Sequence, residues 1–80
     1  MPHFFFNLRS GRETFTDVEG QTLPDIAAAK EEAIQGARDI VSEDVRAGRP
    51  IDRSRAFDVM DGLGRLILSV KFSEAVSEIP

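Results

Sequence analysis

The sequence predicts an α+β fold in which an antiparallel sheet carries one long helix on one face, in the order β-β-α-β-β. Apolar and polar residues alternate near both ends of the chain, which is typical of strands with one buried face. Between these segments, apolar residues recur every three to four positions, which indicates a helix. We expect residues 1–80 to form a single domain, with residues 73–80 as a short helical turn or a frayed tail.

The N-terminal segment predicts a β-hairpin. Residues 3–8 form its first strand, in which alternate side chains point to opposite faces. The inward set is Phe4, Phe6 and Leu8, and the outward set is His3, Phe5 and Asn7. Gly11 lies in the turn, because glycine readily adopts a positive φ angle. Residues 13–17 return as a short strand with Phe15 pointing inward, and residues 19–21 form a loop.

A helix of about 22 residues is predicted between Thr22 and Gly48. Asp25 is its expected N-cap, with Thr22 in a capping-box-like position, while Gly48 and Pro50 end it. The expected buried stripe is Ile26, Ala33, Ala37, Ile40 and Val41, flanked by Ile34 and Val45. Such a helix is about 33 Å long, which exceeds a typical strand of about 20 Å. It must therefore cross the sheet obliquely or overhang it.

The C-terminal segment predicts a second hairpin. Residues 53–60 and 65–72 are its strands, and residues 61–64, with the sequence DGLG, are its turn. Phe57 and Val59 can share the inner face with the return strand. In that strand the inward set is Leu66, Leu68, Val70 and Phe72, and the outward set is Ile67, Ser69 and Lys71.

Composition excludes several classes of protein. The chain has no cysteine, so disulfide frameworks and thiolate metal sites are excluded. Its longest apolar runs are too short to span a bilayer, and its start does not match a signal peptide, so we expect a cytoplasmic protein. His3 is the single histidine, and the acidic pairs on the helix do not converge. We therefore expect neither a metal nor a cofactor, and no small-molecule substrate.

Three groups of short motifs run along the chain. They are MP-x-F-F-F-x-L-R at the start, D-x-E-G-x-x-L-P-D before the helix, and D-x-x-G followed by L-x-L-x-V-x-F in the closing hairpin. Their residues are Met1, Pro2, Phe4 to Phe6, Leu8, Arg9, Asp17, Glu19, Gly20, Leu23 to Asp25, Asp61, Gly64, Leu66, Leu68, Val70 and Phe72. In this combination the chain resembles a family of small bacterial proteins known as a domain of unknown function. The resemblance implies a short stand-alone bacterial protein and brings no activity with it.

The leading functional hypothesis comes from the sheet face that the single helix leaves open. We expect His3, Phe5, Ile67 and Lys71 on that face. Exposed apolar sheet surface is normally covered in native proteins. The sequence therefore predicts a non-catalytic interaction module, a homodimer or an adaptor, that binds a protein partner through these residues.

Pro2 supports an alternative hypothesis, an enzyme. After removal of Met1, a buried Pro2 amine would have a lowered pKa and could act as a general base. This arrangement is similar in kind to the 4-oxalocrotonate tautomerase superfamily, with Arg9 or Arg12, or Arg53 or Arg55, as the clamp for a substrate carboxylate. The segment of residues 13–21 departs from that family, and proline is also ordinary at the first position of a strand.

A cluster of arginines supports a second alternative, weak nucleic-acid binding. Its members are Arg46, Arg49, Arg53 and Arg55, opposed within that stretch only by Asp52. Arginines bind phosphates, and an exposed Phe5 could stack on a base. The net charge of −4 argues against this hypothesis, because such proteins are usually basic.

Overall fold

The fold is an antiparallel sheet with helices on one side. A computed structural model describes residues 1–77, so the end of the predicted tail turn lies outside the described residues. In chain order the elements are β1 His3–Ser10, β2 Glu13–Phe15, β3 Gln21–Thr22, α1 Ile26–Arg46, β4 Ala56–Met60, β5 Leu66–Lys71 and α2 Phe72–Ser77. The strands are ordered β2-β1-β4-β5, and β3 pairs with the start of β1. The predicted α+β class is confirmed. The short strand β3 is an additional element, and α2 lies where a short helical turn or a frayed tail was expected.

Alternation along β1 is confirmed. Phe4 is only 3% exposed, and Phe6 and Leu8 pack against the buried core between sheet and helix. Phe5 is half-buried on the opposite face, where it pairs with Met60 of β4. The first and third aromatic rings of the FFF run therefore belong to the core, and the middle one does not.

The helix begins and ends where its capping residues predict. The Asp25 carboxylate accepts a hydrogen bond of 2.8 Å from the Ala28 N–H, and Gly48 follows the helix with a φ of 73°. The prediction is wrong at Ile26 of the stripe, which is 54% exposed, and Val45 on its flank is 59% exposed. At 21 residues the helix is about 32 Å long, so its ends extend beyond the strands that it covers.

Phe15 also differs from its prediction. It pairs with Leu8, so it faces the side of the sheet that carries the helices. However, α1 lies mainly over β4 and β5, and Phe15 is 55% exposed on the uncovered edge strand β2. The strand also ends at Phe15 and does not reach Asp17, whose side chain bonds to β1 instead.

A β-bulge changes the face assignment at the start of β5. Val59 pairs with Leu68 but Met60 pairs with Leu66, so Ile67 is the extra residue. The bulge brings Leu66 to the open face with Met60, and Ile67 instead lines an apolar groove beside Phe4. The predicted positions of Leu66 and Ile67 were therefore wrong, because simple alternation assumes an unbroken register.

The second hairpin is otherwise shorter than predicted. Its strands are Ala56–Met60 and Leu66–Lys71, and Phe72 begins α2 while its ring stays 1% exposed in the core. Gln21, predicted as loop, pairs with Phe4, and Thr22, predicted in a capping-box-like position, pairs with His3. Within residues 1–77, neither helix combines the length and the apolar character that a membrane span needs.

Candidate functional site

The open face of the sheet is organised in three rows of side chains. Residues that pair directly across strands share a face, so the register between β1, β4 and β5 defines each row. The apolar row is Phe5, Met60 and Leu66, the polar row is Asn7, Asp58 and Ser69, and the basic row is Arg9, Ala56 and Lys71. The open face therefore changes from apolar at one end to cationic at the other.

A hollow of about 250 Å³ lies at the apolar end. Phe5 and Met60 line it from the sheet, residues 16–17 form one wall, and the turn between β4 and β5 forms the other. This turn contributes Asp61, Gly62 and Gly64 to the lining. The hollow is large enough for an apolar side chain from another molecule.

Asp17 holds the first wall against the sheet. One carboxylate oxygen accepts a 3.1 Å hydrogen bond from the Phe6 N–H, and the other accepts bonds from the N–H groups of Glu19 and Gly20 at 3.2 and 3.1 Å. The Asp17 N–H donates in turn to the Asn7 side chain at 3.0 Å. Burial raises the pKa of Asp17, but the bonds from these three N–H groups outweigh it, so the pKa lies below its ordinary value.

His3 fixes the far end of the same wall. Its Nε2 lies 2.7 Å from the Glu19 carbonyl oxygen, and its Nδ1 lies 3.0 Å from the Thr22 hydroxyl. Its ring also meets the Phe5 ring edge-on, with centroids 5.0 Å apart. His3 thus contacts Phe5 on the open face as the sequence indicated, and it connects that ring to the loop.

Asp61 holds the second wall. One of its oxygens accepts hydrogen bonds from the N–H groups of Leu63 and Arg65, each 2.9 Å long, and the other accepts one of 2.8 Å from the Arg65 side chain. The bond from the Arg65 N–H is the main reason that the pKa of Asp61 is lowered. Between these anchors Leu63 is 79% exposed at the tip of the turn.

Arg9 and Asp58 form an ion pair between the polar and basic rows. The Arg9 Nε and Nη2 donate to the two carboxylate oxygens at 2.9 and 3.2 Å, and the Ser69 hydroxyl donates at 2.6 Å. The hydrogen bonds from Arg9 are the main cause of the lowered pKa of Asp58, and the same carboxylate raises the pKa of Arg9. Lys71 is exposed at the end of the basic row.

The structure does not bring together the residues of the tautomerase alternative. Pro2 lines a separate apolar groove of about 590 Å³, bordered by the carboxyl-bearing residues Asp25 and Asp61. Arg9 lies seven positions further along the extended chain, which is about 23 Å, and is bonded to Asp58. Arg12 is further still, in the turn after β1.

The arginine cluster is largely neutralised. Arg46 pairs with Glu43 at 3.6 Å, Arg49 pairs with Asp44 at 3.0 Å, and Arg55 lies 3.7 Å from Asp44. Asp52, the one acidic residue within the stretch, lies 3.6 Å from Arg55, and Glu43 and Asp44 oppose the cluster from the helix before it. Arg53 is exposed beside these pairs. The spacing Ala37, Val41 and Asp44 follows the buried helix face and would have identified Asp44 as a buried carboxylate.

Sequence reasoning missed Met60 and Leu66 on the open face and the exposure of Leu63 at the tip of the turn. Met60 could have been identified by aligning the two hairpins, because it lies directly opposite Phe5. Leu66 was hidden by the bulge, for which the sequence carries no clear signal. Leu63 was included only as a turn residue, and it is 79% exposed.

Comparisons with known proteins find one related family. A family model described as a domain of unknown function (DUF6894) matches residues 3–73, which is nearly the whole chain. This match confirms the resemblance to an uncharacterised family that the sequence motifs indicated. No curated protein and no solved structure matches the chain.

Proposed function

We propose that this chain, which belongs to the DUF6894 family, is a non-catalytic protein-interaction module that forms a homodimer through the open face of its sheet. The observation that carries the proposal is the apolar row of Phe5, Met60 and Leu66 beside the hollow. Both described helices lie on the other side of the sheet, so this row is left for another chain to cover.

Burial of the apolar row supplies the driving force. Removing apolar surface from water is worth about 25 cal/mol per Å². Leu66 is 58% exposed and Phe5 is half-buried, so both side chains still have surface to bury. Phe5 is a suitable central anchor, because aromatic residues are enriched at the core of protein interfaces.

The row pattern favours one type of symmetric dimer. A two-fold axis parallel to the strands places the apolar row of each copy against the same row of its partner. The same axis also places the basic row of Arg9 and Lys71 against its own copy, and like charges repel. An axis in the plane of the sheet, perpendicular to the strands and over the apolar row, also pairs the apolar rows but leaves the two basic rows at opposite ends. We therefore propose the second arrangement, with the sheets overlapping at their apolar ends.

We also propose the setting in which this dimer acts. A chain of this size without cysteine suits the reducing cytoplasm, where small domains fold without disulfides. The resemblance to small bacterial proteins supports a bacterial origin.

Light scattering coupled to gel filtration tests the proposal. We expect the wild-type protein to have twice the 8.9 kDa mass of one chain, and Phe5→Asp to reduce it to one chain mass. Phe15→Asp is the matched control, because Phe15 is an exposed aromatic residue on the other face of the sheet. A wild-type monomer, or equal effects of the two variants, would contradict the proposal.

A further inference from the structure

We infer that Asp61 is a latent site of spontaneous isomerisation to isoaspartate at its bond to Gly62, and that the hydrogen bonds of the turn between β4 and β5 hold this reaction back in the folded chain. Three features of the turn support this assignment, and none of them depends on the homodimer. They are the order of its residues, the exposure of the attacking nitrogen and the contacts of the Asp61 carboxylate.

The isomerisation of an aspartate begins when the backbone nitrogen of the following residue attacks the side-chain carboxyl carbon. A C–N bond forms, the amide proton and the carboxyl OH leave together as water, and a cyclic succinimide results. Water then opens this ring, and opening at the main-chain carbonyl leaves isoaspartate, in which the backbone runs through the side chain. The loss of water requires a protonated carboxyl group, because an ionised carboxylate would have to expel oxide.

Asp61 is the aspartate whose following residue hinders this attack least. Every other aspartate of the chain is followed by valine, isoleucine or arginine, whereas Asp61 is followed by glycine. A side chain crowds the nitrogen of its own residue, most of all when it is β-branched, and glycine has none. Gly62 is also exposed, and its N–H donates no hydrogen bond within residues 1–77. The attacking nitrogen is therefore accessible.

The carboxylate that this nitrogen must attack is fixed by the turn. One of its oxygens accepts from the N–H groups of Leu63 and Arg65, and the other accepts from the Arg65 side chain at 2.8 Å. The backbone of Asp61 is fixed as well, because its N–H donates to the Arg65 carbonyl at 2.9 Å and its carbonyl accepts from the Gly64 N–H at 3.1 Å. Ring closure removes one carboxyl oxygen, so the hydrogen bonds to that oxygen must first be broken.

The same contacts keep the carboxyl group of Asp61 ionised. The hydrogen bond from the Arg65 N–H is the largest cause of its lowered pKa, and the Arg65 side chain lowers the pKa further. Only the protonated form can lose water. The turn therefore opposes the reaction through the charge of the carboxyl group as well as through its position.

Isomerisation would alter the open face of the sheet. Asp61, Gly62 and Gly64 line the hollow. Isoaspartate inserts an extra carbon into the backbone and moves the carboxylate away from the N–H groups that it accepts from. The turn would lose the bonds that shape it, and the hollow would lose one wall.

Peptide mapping of the intact protein after prolonged incubation tests the inference. Trypsin cleaves after Arg55 and Arg65, so residues 56–65 form one peptide that contains Asp61 and also Asp58, which is followed by valine and serves as an internal control. Aspartate and isoaspartate have the same mass, so chromatography separates the two forms and electron-transfer fragmentation identifies them.

The wild-type protein is compared in its folded state and unfolded in guanidinium chloride. We expect Asp61 to isomerise faster than Asp58 in the unfolded chain. In the folded protein Asp61 should react roughly tenfold or more slowly than in the unfolded chain, because the reaction waits for the turn to open. Equal rates at Asp61 in the two states would overturn the inference, and so would an unfolded chain in which Asp61 reacts no faster than Asp58.

Two variants test the residues of the turn. Arg65→Ala removes the guanidinium and should speed the reaction in the folded protein about two- to fivefold, the range expected for an exposed ion pair. Gly62→Ala should slow the reaction in both states, because the added Cβ crowds the nitrogen, and it meets no atom within 4 Å in the fold. Arg12→Ala is the matched control for Arg65→Ala, since Arg12 is an exposed arginine in the turn between β1 and β2.

Circular dichroism establishes that each variant is folded before its rate is compared. A folded Arg65→Ala protein that isomerises no faster than Arg12→Ala would overturn the inference, as would a Gly62→Ala protein that isomerises as fast as the wild type. Light scattering decides the homodimer separately, so the two proposals can fail independently.

Discussion

Gly20 lies in the loop beside β1 and packs tightly against the start of that strand. It has a φ of 66°, and an added Cβ would lie 2.6 Å from both the His3 ring and the Phe4 carbonyl oxygen. Such contacts would force the loop away from the strand and would loosen one wall of the hollow. Glycine is therefore required here for space as well as for conformation.

We predict that Gly20→Ala lowers the free energy of unfolding by about 2–4 kcal/mol, the sum of a left-handed alanine and an overpacked contact. Gly11→Ala is the control, because Gly11 has a φ of 61° with no atom within 4 Å of an added Cβ, and it should cost only about 1 kcal/mol. Urea denaturation measures both values. Equal losses would show that the contact with His3 and Phe4 does not restrict the loop.

Asp17 should make stability depend on pH in the acid range. Its folded pKa is below the ordinary 3.8, so the carboxylate stabilises the fold fully above that value, and the contribution is lost as the pH falls through the folded pKa. We predict that Asp17→Asn lowers the free energy of unfolding by about 1–2 kcal/mol at pH 7. The difference between the variant and the wild type should shrink below about pH 4.

Urea denaturation at a series of pH values measures this dependence. Glu19→Gln in the same loop is the control and should change stability by less than about 0.5 kcal/mol, because the Glu19 side chain is exposed. A difference between Asp17→Asn and the wild type that is constant from pH 7 to pH 3 would contradict the account of Asp17.

At the scale of elements, the end of α1 is joined to the following loop by Asp44. This carboxyl-bearing residue is 8% exposed, and it pairs with Arg49 at 3.0 Å and lies 3.7 Å from Arg55, just before β4. The pairs attach the C-terminal end of the helix to the start of the second hairpin. Nearby, Glu43 and Arg46 form an exposed pair at 3.6 Å.

We predict that Asp44→Ala lowers the free energy of unfolding by about 1–2 kcal/mol, because it leaves the two guanidinium groups without this partner. Glu43→Ala removes a neighbouring but exposed pair, and it should change stability by less than about 0.5 kcal/mol. Thermal and urea denaturation measure both variants. A larger loss in Glu43→Ala than in Asp44→Ala would contradict the assignment.

The periodicity of apolar residues was sufficient to predict the main elements. It failed to predict which side chains are exposed because no neighbouring element covers them. The order of the hairpins and the long helix, and the inward direction of Phe4 and Phe6, follow from alternation and capping. Phe15 and Ile26 are exposed because burial depends on which neighbour covers a side chain, and a sequence pattern specifies only direction. The bulge at Ile67 is a property of strand pairing, which alternation alone does not reveal.

At the scale of the whole molecule, the described helices cover one face of the sheet and leave the other face open. The candidate site was predicted in part, since Phe5, His3 and Lys71 lie where alternation and the hairpin placed them. Leu66 replaces Ile67, and the hollow arises from two loops that approach the sheet through the side chains of Asp17 and Asp61. Such long-range loop contacts have no local signal in the sequence.

Sedimentation equilibrium of the wild-type protein over a wide range of concentrations tests the central claim, that a second copy covers the open face. We predict a reversible equilibrium between one and two chains of 8.9 kDa, with the dimer dominant at high concentration. A mass that stays at a single chain at every concentration would contradict it.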